Sequence, residues 1–145
     1  MKNKNSWQIS SRLVKSEDLN HHGTLFAGRM TEWFVESSFA AASMLFGHPE
    51  NIVCFKIHYM NFKTPIQKGD IVHIAAKVLR VGRSSFTVYA KVTTLNHPDQ
   101  LAIDGVTLFV CVDKNGKKME HGLVLDPPTD ENEIKILQDL LTKKP

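Results

Sequence analysis

The sequence holds no apolar run near the roughly 20 residues that a membrane-spanning helix needs, so no segment of it reads as one. No apolar stretch follows the basic start Met1-Lys2-Asn3-Lys4-Asn5, and a secretory signal is not expected there. Cysteine is scarce: Cys54 and Cys111 stand alone, neither in a Cys-x-x-Cys pair. None of the seven histidines forms a His-x-x-x-His pair or neighbours a cysteine cluster, which argues against a metal site. Both cysteines sit among apolar, β-branched residues. The expectation is two buried, reduced thiols in a cytoplasmic protein. Apolar surroundings raise a thiol's pKa, so neither is expected to be a nucleophile. Charge of one sign is lacking too. Eighteen Lys and Arg against fifteen Asp and Glu leave a net +3, too little to point to nucleic acid. It still allows a small polyanionic ligand where cations cluster. No repeat, low-complexity tract or linker divides the 145 residues. One domain is expected over residues 1–128, with 129–145 as a C-terminal helix and tail flanking it.

What is present alternates cleanly. Trp7 to Val14 reads as a strand. The polar run Ser16-Glu17-Asp18-Leu19-Asn20-His21-His22-Gly23 reads as a loop. From Thr24 to Phe46 the period turns helical, with Met30, Phe34, Ser37, Ala41 and Leu45 on one face. The small residues of its second half, Ser37-Ser38 and Ala40 to Ser43, let a helix lie close to its neighbour. Gly47 before His48-Pro49 ends it, since glycine takes the left-handed cap and proline cannot continue. Strands are expected over Ile52–Phe62, Ile71–Val81, Ser85–Leu95 and Leu101–Val112. Lys114-Asn115-Gly116-Lys117 marks a hairpin. Thr129 is expected to cap a last helix from Asp130 to Leu141, with Ile134, Leu137 and Leu141 as its apolar stripe. One long helix against a curled antiparallel sheet is an α+β layer arrangement.

Several stretches resemble those of one family. Asn20-His21-His22-Gly23-Thr24-Leu25-Phe26-Ala27-Gly28 resembles the Asn-x-x-Gly-x-x-Phe-Gly-Gly entry of the hotdog-fold acyl-CoA thioesterases, and Trp33 stands where several of them carry tryptophan. Asn61 to Val72 is similar to their Phe-x-x-Pro-hydrophobic-x-x-Gly-Asp-x-Val strand and turn. Gly82-Arg83-Ser84-Ser85-Phe86 resembles their Gly-Arg/Thr-Ser/Thr-Ser hairpin, and Phe109 to Lys117 their last strand and turn. The resemblance implies a hotdog fold, hydrolysis of acyl-coenzyme A (CoA), no resident cofactor, and an active site formed between two protomers. At least a homodimer follows, with higher dimer-based assemblies common in the family and no nucleic-acid or membrane partner.

Thioester hydrolysis needs a held water, a base and donors for the developing oxyanion. The helix start at Phe26-Ala27-Gly28 offers unpaired backbone N–H groups, and Gly28 lets a ligand come close. A glycine kept only for packing explains Gly28 as well. The family places Asp or Glu nine residues after the Phe, where this chain has Val35. Glu36, next to it in a stretch of small and apolar residues, is the candidate base, because burial would raise its pKa. A solvated ion-pair face of Arg29, Glu32 and Glu36 is the alternative. The resemblance maps Asn20 onto the family's loop Asn or Asp, which binds the attacking water or the carbonyl. An Asx turn explains Asn20 equally well. His22 is a further acid–base candidate. Arg83, Ser84 and Ser85 are the candidate CoA contacts, with Lys63, Lys68 and Arg80 weaker. Phe34, Phe39, Met44, Phe55 and Phe62 could line an acyl slot or simply pack the core. Two other readings stay open: an acyl-CoA-binding sensor without catalysis, which Val35 favours, and a hydroxyacyl-thioester dehydratase, which needs a His–carboxylate pair.

Overall fold

A computed structural model describes residues 5–142. The lysines and asparagine of the basic start before Asn5, and the tail after Thr142, lie outside the described residues. Strand β1 covers Gln8–Leu13, helix α1 Ala27–Phe46, and strands β2 to β5 cover Ile52–Phe62, Ile71–Val81, Ser85–Thr94 and Ile103–Cys111. Helix α2 covers Glu131–Thr142. The strands form one antiparallel sheet in the order β1-β3-β4-β5-β2, so β2 crosses over to pair with β5 and becomes an edge.

Helix α1 lies chiefly over β3 and β4. Met30, Trp33, Phe34, Ser38, Ala41, Ala42 and Leu45 are its buried residues. They pack on Val72, Ile74, Ala76 and Val78 of β3 and on Phe86, Val88, Ala90 and Val92 of β4. Period 3.6 meets period 2 here, and each element turns its apolar set inward. The buried serine is Ser38, which donates to Phe34 O, while Ser37 faces the flank and bonds Ser10. Gly105 of β5 admits the Phe34 ring: a Cβ there would meet Tyr59 O and sit 2.9 Å from Phe34 Cζ. Gly47 ends α1 in the left-handed region, φ 87°, its N–H on Ser43 O.

Strand β2 departs from the expected alternation. Register shifts between Cys54 and Lys56 and between Ile57 and Tyr59 break its pairing with β5. Such bulges bend a strand and re-aim its side chains. Val53, Phe55 and Ile57 are exposed, and so is Cys54, against the expected burial. Cys111, within the sheet, is buried as expected.

The outer sheet face carries α2. Ile136 packs on Leu79, Tyr89 and Val106, with Leu137 and Leu140 beside it. The stripe is therefore rotated from the expected one: Ile134 and Leu141 face solvent, and Glu133 points inward to pair with Lys77 at 3.2 Å. The cap is Asp130, not Thr129, because Asp130 Oδ2 accepts the Glu133 N–H at 3.0 Å.

Candidate functional site

The loop before α1 is a tight turn. Asn20 N–H donates to Thr24 O at 2.7 Å and Gly23 N–H to Asn20 O at 3.1 Å, with Gly23 at φ 81°. Leu25 N–H then bonds Ile66 O at 2.8 Å, and Phe26 N–H bonds Asp18 O at 2.8 Å. These bonds set the turn against the segment after β2. A cleft of about 300 Å³ opens between them, walled by Asn20, Thr24, Leu25, Ala27 and Met30 on one side and by Phe62 to Ile66 and Ile103 on the other.

Asn20 is both turn residue and cleft wall. Its Oδ1 accepts the N–H of His22 at 2.8 Å and of Thr24 at 3.2 Å, which is an Asx turn. Its Nδ2 donates to Thr24 Oγ1 at 3.0 Å. An amide nitrogen has two hydrogens, and the second meets no acceptor among the described residues.

The head of α1 is open. Met30 N–H to Phe26 O is the first helical bond, so the amides of Ala27, Gly28 and Arg29 have no intrahelical acceptor. Phe26, at the cap position, supplies no side-chain bond, and the first turn holds no acidic residue. The positive end of the helix dipole is thus uncapped by its own chain. The Phe26 ring, 54% exposed, lies over Gly28, where a Cβ would fall 2.5 Å from Phe26 Cε2.

Asp18, missed in the sequence as part of a plain polar loop, anchors this head. Its side chain is nearly inaccessible, with Oδ1 3.2 Å from Arg29 Nε and Oδ2 accepting Lys15 N–H at 2.9 Å. Its burial and its pairing with Arg29 are not legible from Ser16-Glu17-Asp18 alone, although a short polar residue before a helix is a usable signal.

Glu36 is elsewhere. Its side chain is 66% exposed and pairs with Arg12 of β1 at 3.3 Å, so the expected burial is absent in the single chain. Arg29 reaches Asp18 and Glu32, not Glu36, which undoes the expected triad of Arg29, Glu32 and Glu36. Thr31, whose hydroxyl meets Met60 of β2, marks the opposite flank. Five residues at about 100° each put Glu36 roughly 140° around the helix from Thr31. A part for Glu36 in the Asn20 cleft therefore requires a second copy of the chain. His22 is also outside: its exposed ring stacks on His21 at 3.9 Å, and only its N–H meets Asn20.

Arg83, Ser84 and Ser85 form the turn between β3 and β4, at the far end of the sheet. Ser85 pairs with Val110 and Val92 with the cleft residue Ile103. Seven strand residues at about 3.3 Å separate them by roughly 23 Å. Of the aromatic candidates, Phe62 lines the cleft; Phe34 and Phe39 belong to the core, and Phe55 and Met44 face solvent. Lys63 joins the cleft wall, and Lys68 and Arg80 are exposed. A larger hollow, about 660 Å³, lies between β3 and residues 124–130, but Lys77, the one cation among its described lining residues, is already paired with Glu133.

Residues 22–99 match the thioesterase superfamily. A Bacillus subtilis protein named an uncharacterized acyl-CoA thioester hydrolase is 30% identical over 129 residues, spanning 83% of this chain and 73% of the relative. An acyl-CoA hydrolase from Staphylococcus aureus, solved with butyryl coenzyme A, coenzyme A and coenzyme A disulfide, superposes with TM-score 0.82 at 26% identity, over 93% of this chain and 84% of that one. A hexameric acyl-CoA thioesterase gives TM-score 0.75 at 27% identity, over 92% and 85%. The Staphylococcus aureus enzyme has also been solved with an asparagine or an aspartate, fifteen positions apart, replaced by alanine. The same step from Asn20 ends on Val35.

Proposed function

The chain belongs to the thioesterase superfamily, and we infer that it hydrolyses acyl-CoA thioesters to the free acid and CoA. The observation that carries this reading is the uncapped head of α1 opening onto an apolar cleft beside Asn20. A thioester carbonyl set there accepts from the free amides of Ala27 and Gly28, and the helix dipole favours the charge that develops on its oxygen. The spare Nδ2 hydrogen of Asn20 holds the attacking water or the carbonyl. Met30, Ile66, Ile103 and Phe62 line the acyl side.

The working unit in this reading is a homodimer or a dimer-based assembly. Strand β2 is an 11-residue edge with exposed Val53, Phe55 and Ile57, the kind of apolar edge that monomers blunt or cover. Two β2 edges paired antiparallel about a two-fold axis bring the Ile52 end of one beside the Phe62 end of the other. Cleft and Arg83–Ser85 turn, roughly 23 Å apart in one chain, then become neighbours across the axis, with the turn's cation and hydroxyls available to the phosphates of CoA.

No carboxylate lines the cleft among the described residues. The proposed base is Glu36 of a further copy in a dimer-based assembly, because Glu36 faces the β1 flank and so points away from the β2 seam. Water attacks the carbonyl carbon as that carboxylate takes its proton. The tetrahedral intermediate then collapses, the C–S bond breaks, and the thiolate recovers the proton. Among the described residues the cleft holds no imidazole, so the His–carboxylate pair of a dehydratase has no counterpart there. Both cysteines are free, in keeping with a reducing cytoplasm.

Thiol release from a panel of acyl-CoAs tests the reading. Turnover by the wild type, with kcat/KM lowered about 100-fold in Asn20→Ala, is the expected result. Tight CoA binding with no thiol release overturns it in favour of the sensor that Val35 suggests.

A further inference from the structure

The residue that holds the Arg83–Ser85 turn comes from an unexpected part of the chain. After β5 the backbone runs through a hairpin closed by Asp113 N–H to Lys117 O at 2.8 Å, and returns along the sheet end, with Met119 N–H on Cys111 O at 3.0 Å. It delivers His121, which is buried. Three successive carbonyls of the turn accept bonds, the outer two from His121 of this returning segment and the middle one from the end of β5. Arg83 O takes the His121 N–H at 3.1 Å, Ser84 O the Cys111 N–H at 2.6 Å, and Ser85 O the ring Nε2 of His121 at 3.2 Å.

The ring's tautomer follows from its partners. Leu123 N–H donates to His121 Nδ1 at 3.0 Å, so Nδ1 is the bare nitrogen and Nε2 carries the hydrogen that goes to Ser85 O. The ring is also wedged on Phe86 at 4.8 Å and edge-on to Phe46 at 6.3 Å. Both nitrogens and one face are thus engaged, and a side chain fixed at that many points has little freedom left to lose when a ligand docks on what it holds. The trans peptide sets C=O and the next N–H in opposite directions. Pulling Arg83 O inward therefore turns the Ser84 N–H outward, beside the exposed Arg83 side chain.

We propose that His121 is the positioning residue of the CoA-binding turn: its ring and N–H hold Arg83–Ser85 in the shape that receives the CoA phosphates. This rests on the thioesterase reading above and names what organises its nucleotide end.

The test compares wild type, His121→Phe, His121→Gln and Arg83→Ala on an acyl-CoA and on the matching N-acetylcysteamine thioester, which lacks the nucleotide. Phenylalanine keeps the ring on Phe86 and removes both nitrogens; glutamine keeps one acceptor and one donor. The expected result is a KM for acyl-CoA raised about tenfold in His121→Phe with kcat within twofold, a KM restored to within threefold in His121→Gln, and no difference among these proteins on the truncated substrate. An unchanged KM in a folded His121→Phe, or an equal loss on both substrates, overturns the proposal. Should Arg83→Ala raise KM while neither His121 variant does, the clamp alone fails. Should Arg83→Ala leave KM unchanged, the assignment of the turn to CoA fails first. Should His121→Phe not fold, His121→Leu, which likewise lacks both nitrogens, takes its place: a tenfold higher KM for acyl-CoA alone supports the clamp, and an unchanged KM overturns it.

Discussion

Arg29 Nε lies 3.2 Å from Asp18 Oδ1, joining the first turn of α1 to the loop that carries Asn20. Asp18 is 5% exposed at its side chain and Arg29 39%, so the pair is only half desolvated. Removing the carboxylate leaves the Lys15 N–H without its acceptor and Arg29 Nε without its counter-charge. Asp18→Ala is expected to cost about 2 kcal/mol, below the 3–5 of a fully buried pair because Arg29 reaches water. Calorimetry should show Tm down by about 6 °C. Because the helix head shifts with it, kcat falls further than the lost stability explains at a temperature where the variant is still folded.

The reaction needs a proton acceptor, and Val35 cannot supply one. Glu36→Gln keeps shape and loses the charge, and kcat is expected to drop about 100-fold with KM little changed, the usual contribution of a general base. Val35→Asp in the Glu36→Gln background puts a carboxylate one position back on α1, and is expected to restore part of the rate. Unchanged turnover in Glu36→Gln leaves carbonyl polarisation by Asn20 and the helix amides as the whole mechanism.

The only two tyrosines, Tyr59 and Tyr89, are both held un-ionised. Burial, then the charges of Asp104 and Asp139, pushes Tyr59 up to about 12. Burial and Asp104, which accepts the Tyr89 hydroxyl at 2.9 Å, raise Tyr89 further. The unfolded value is about 10. Folded values above it mean that this stabilisation is complete below pH 10 and is lost as pH rises through the folded values. Phenolate absorbance should stay flat past pH 10 in the native protein and appear together with loss of circular dichroism. A native titration midpoint at 10 contradicts the buried pair.

The β2 edge exposes Phe55, 61% accessible in the single chain. Phe55→Asp puts charge on the proposed interface, and sedimentation velocity should move the protein from a dimer-based assembly to the monomer. Thiol release should fall with it, since the Arg83 turn is no longer brought to the Asn20 cleft.

Gly105→Ala has no room to relax, because its Cβ meets backbone at Tyr59 as well as the Phe34 ring. The expected cost is about 1–3 kcal/mol, as for other overpacked cores, and denaturant melts measure it.

The sequence by itself determined the elements. Period 3.6 in Met30, Phe34, Ala41 and Leu45 and period 2 in β3 and β4 are local properties, set by which residues can share a face. Gly47 and the Asn115-Gly116 turn were legible for the same reason, as only certain residues tolerate those backbone angles. Tertiary structure alone decided what faces what. Cys54 reads as buried until β2 becomes a bulged edge, and Ile134 reads as core until α2 rotates to seat Ile136 and Glu133. Glu36 reads as a buried base beside Val35, yet one helical position turns it roughly 100° away, towards Arg12. Asp18 shows only that it is a short polar residue ahead of a helix, and His121 shows nothing local. Beyond their local bonds to Lys15 and Leu123, their distant partners Arg29 and Ser85 stand 11 and 36 residues away, and only the folded backbone brings these within reach.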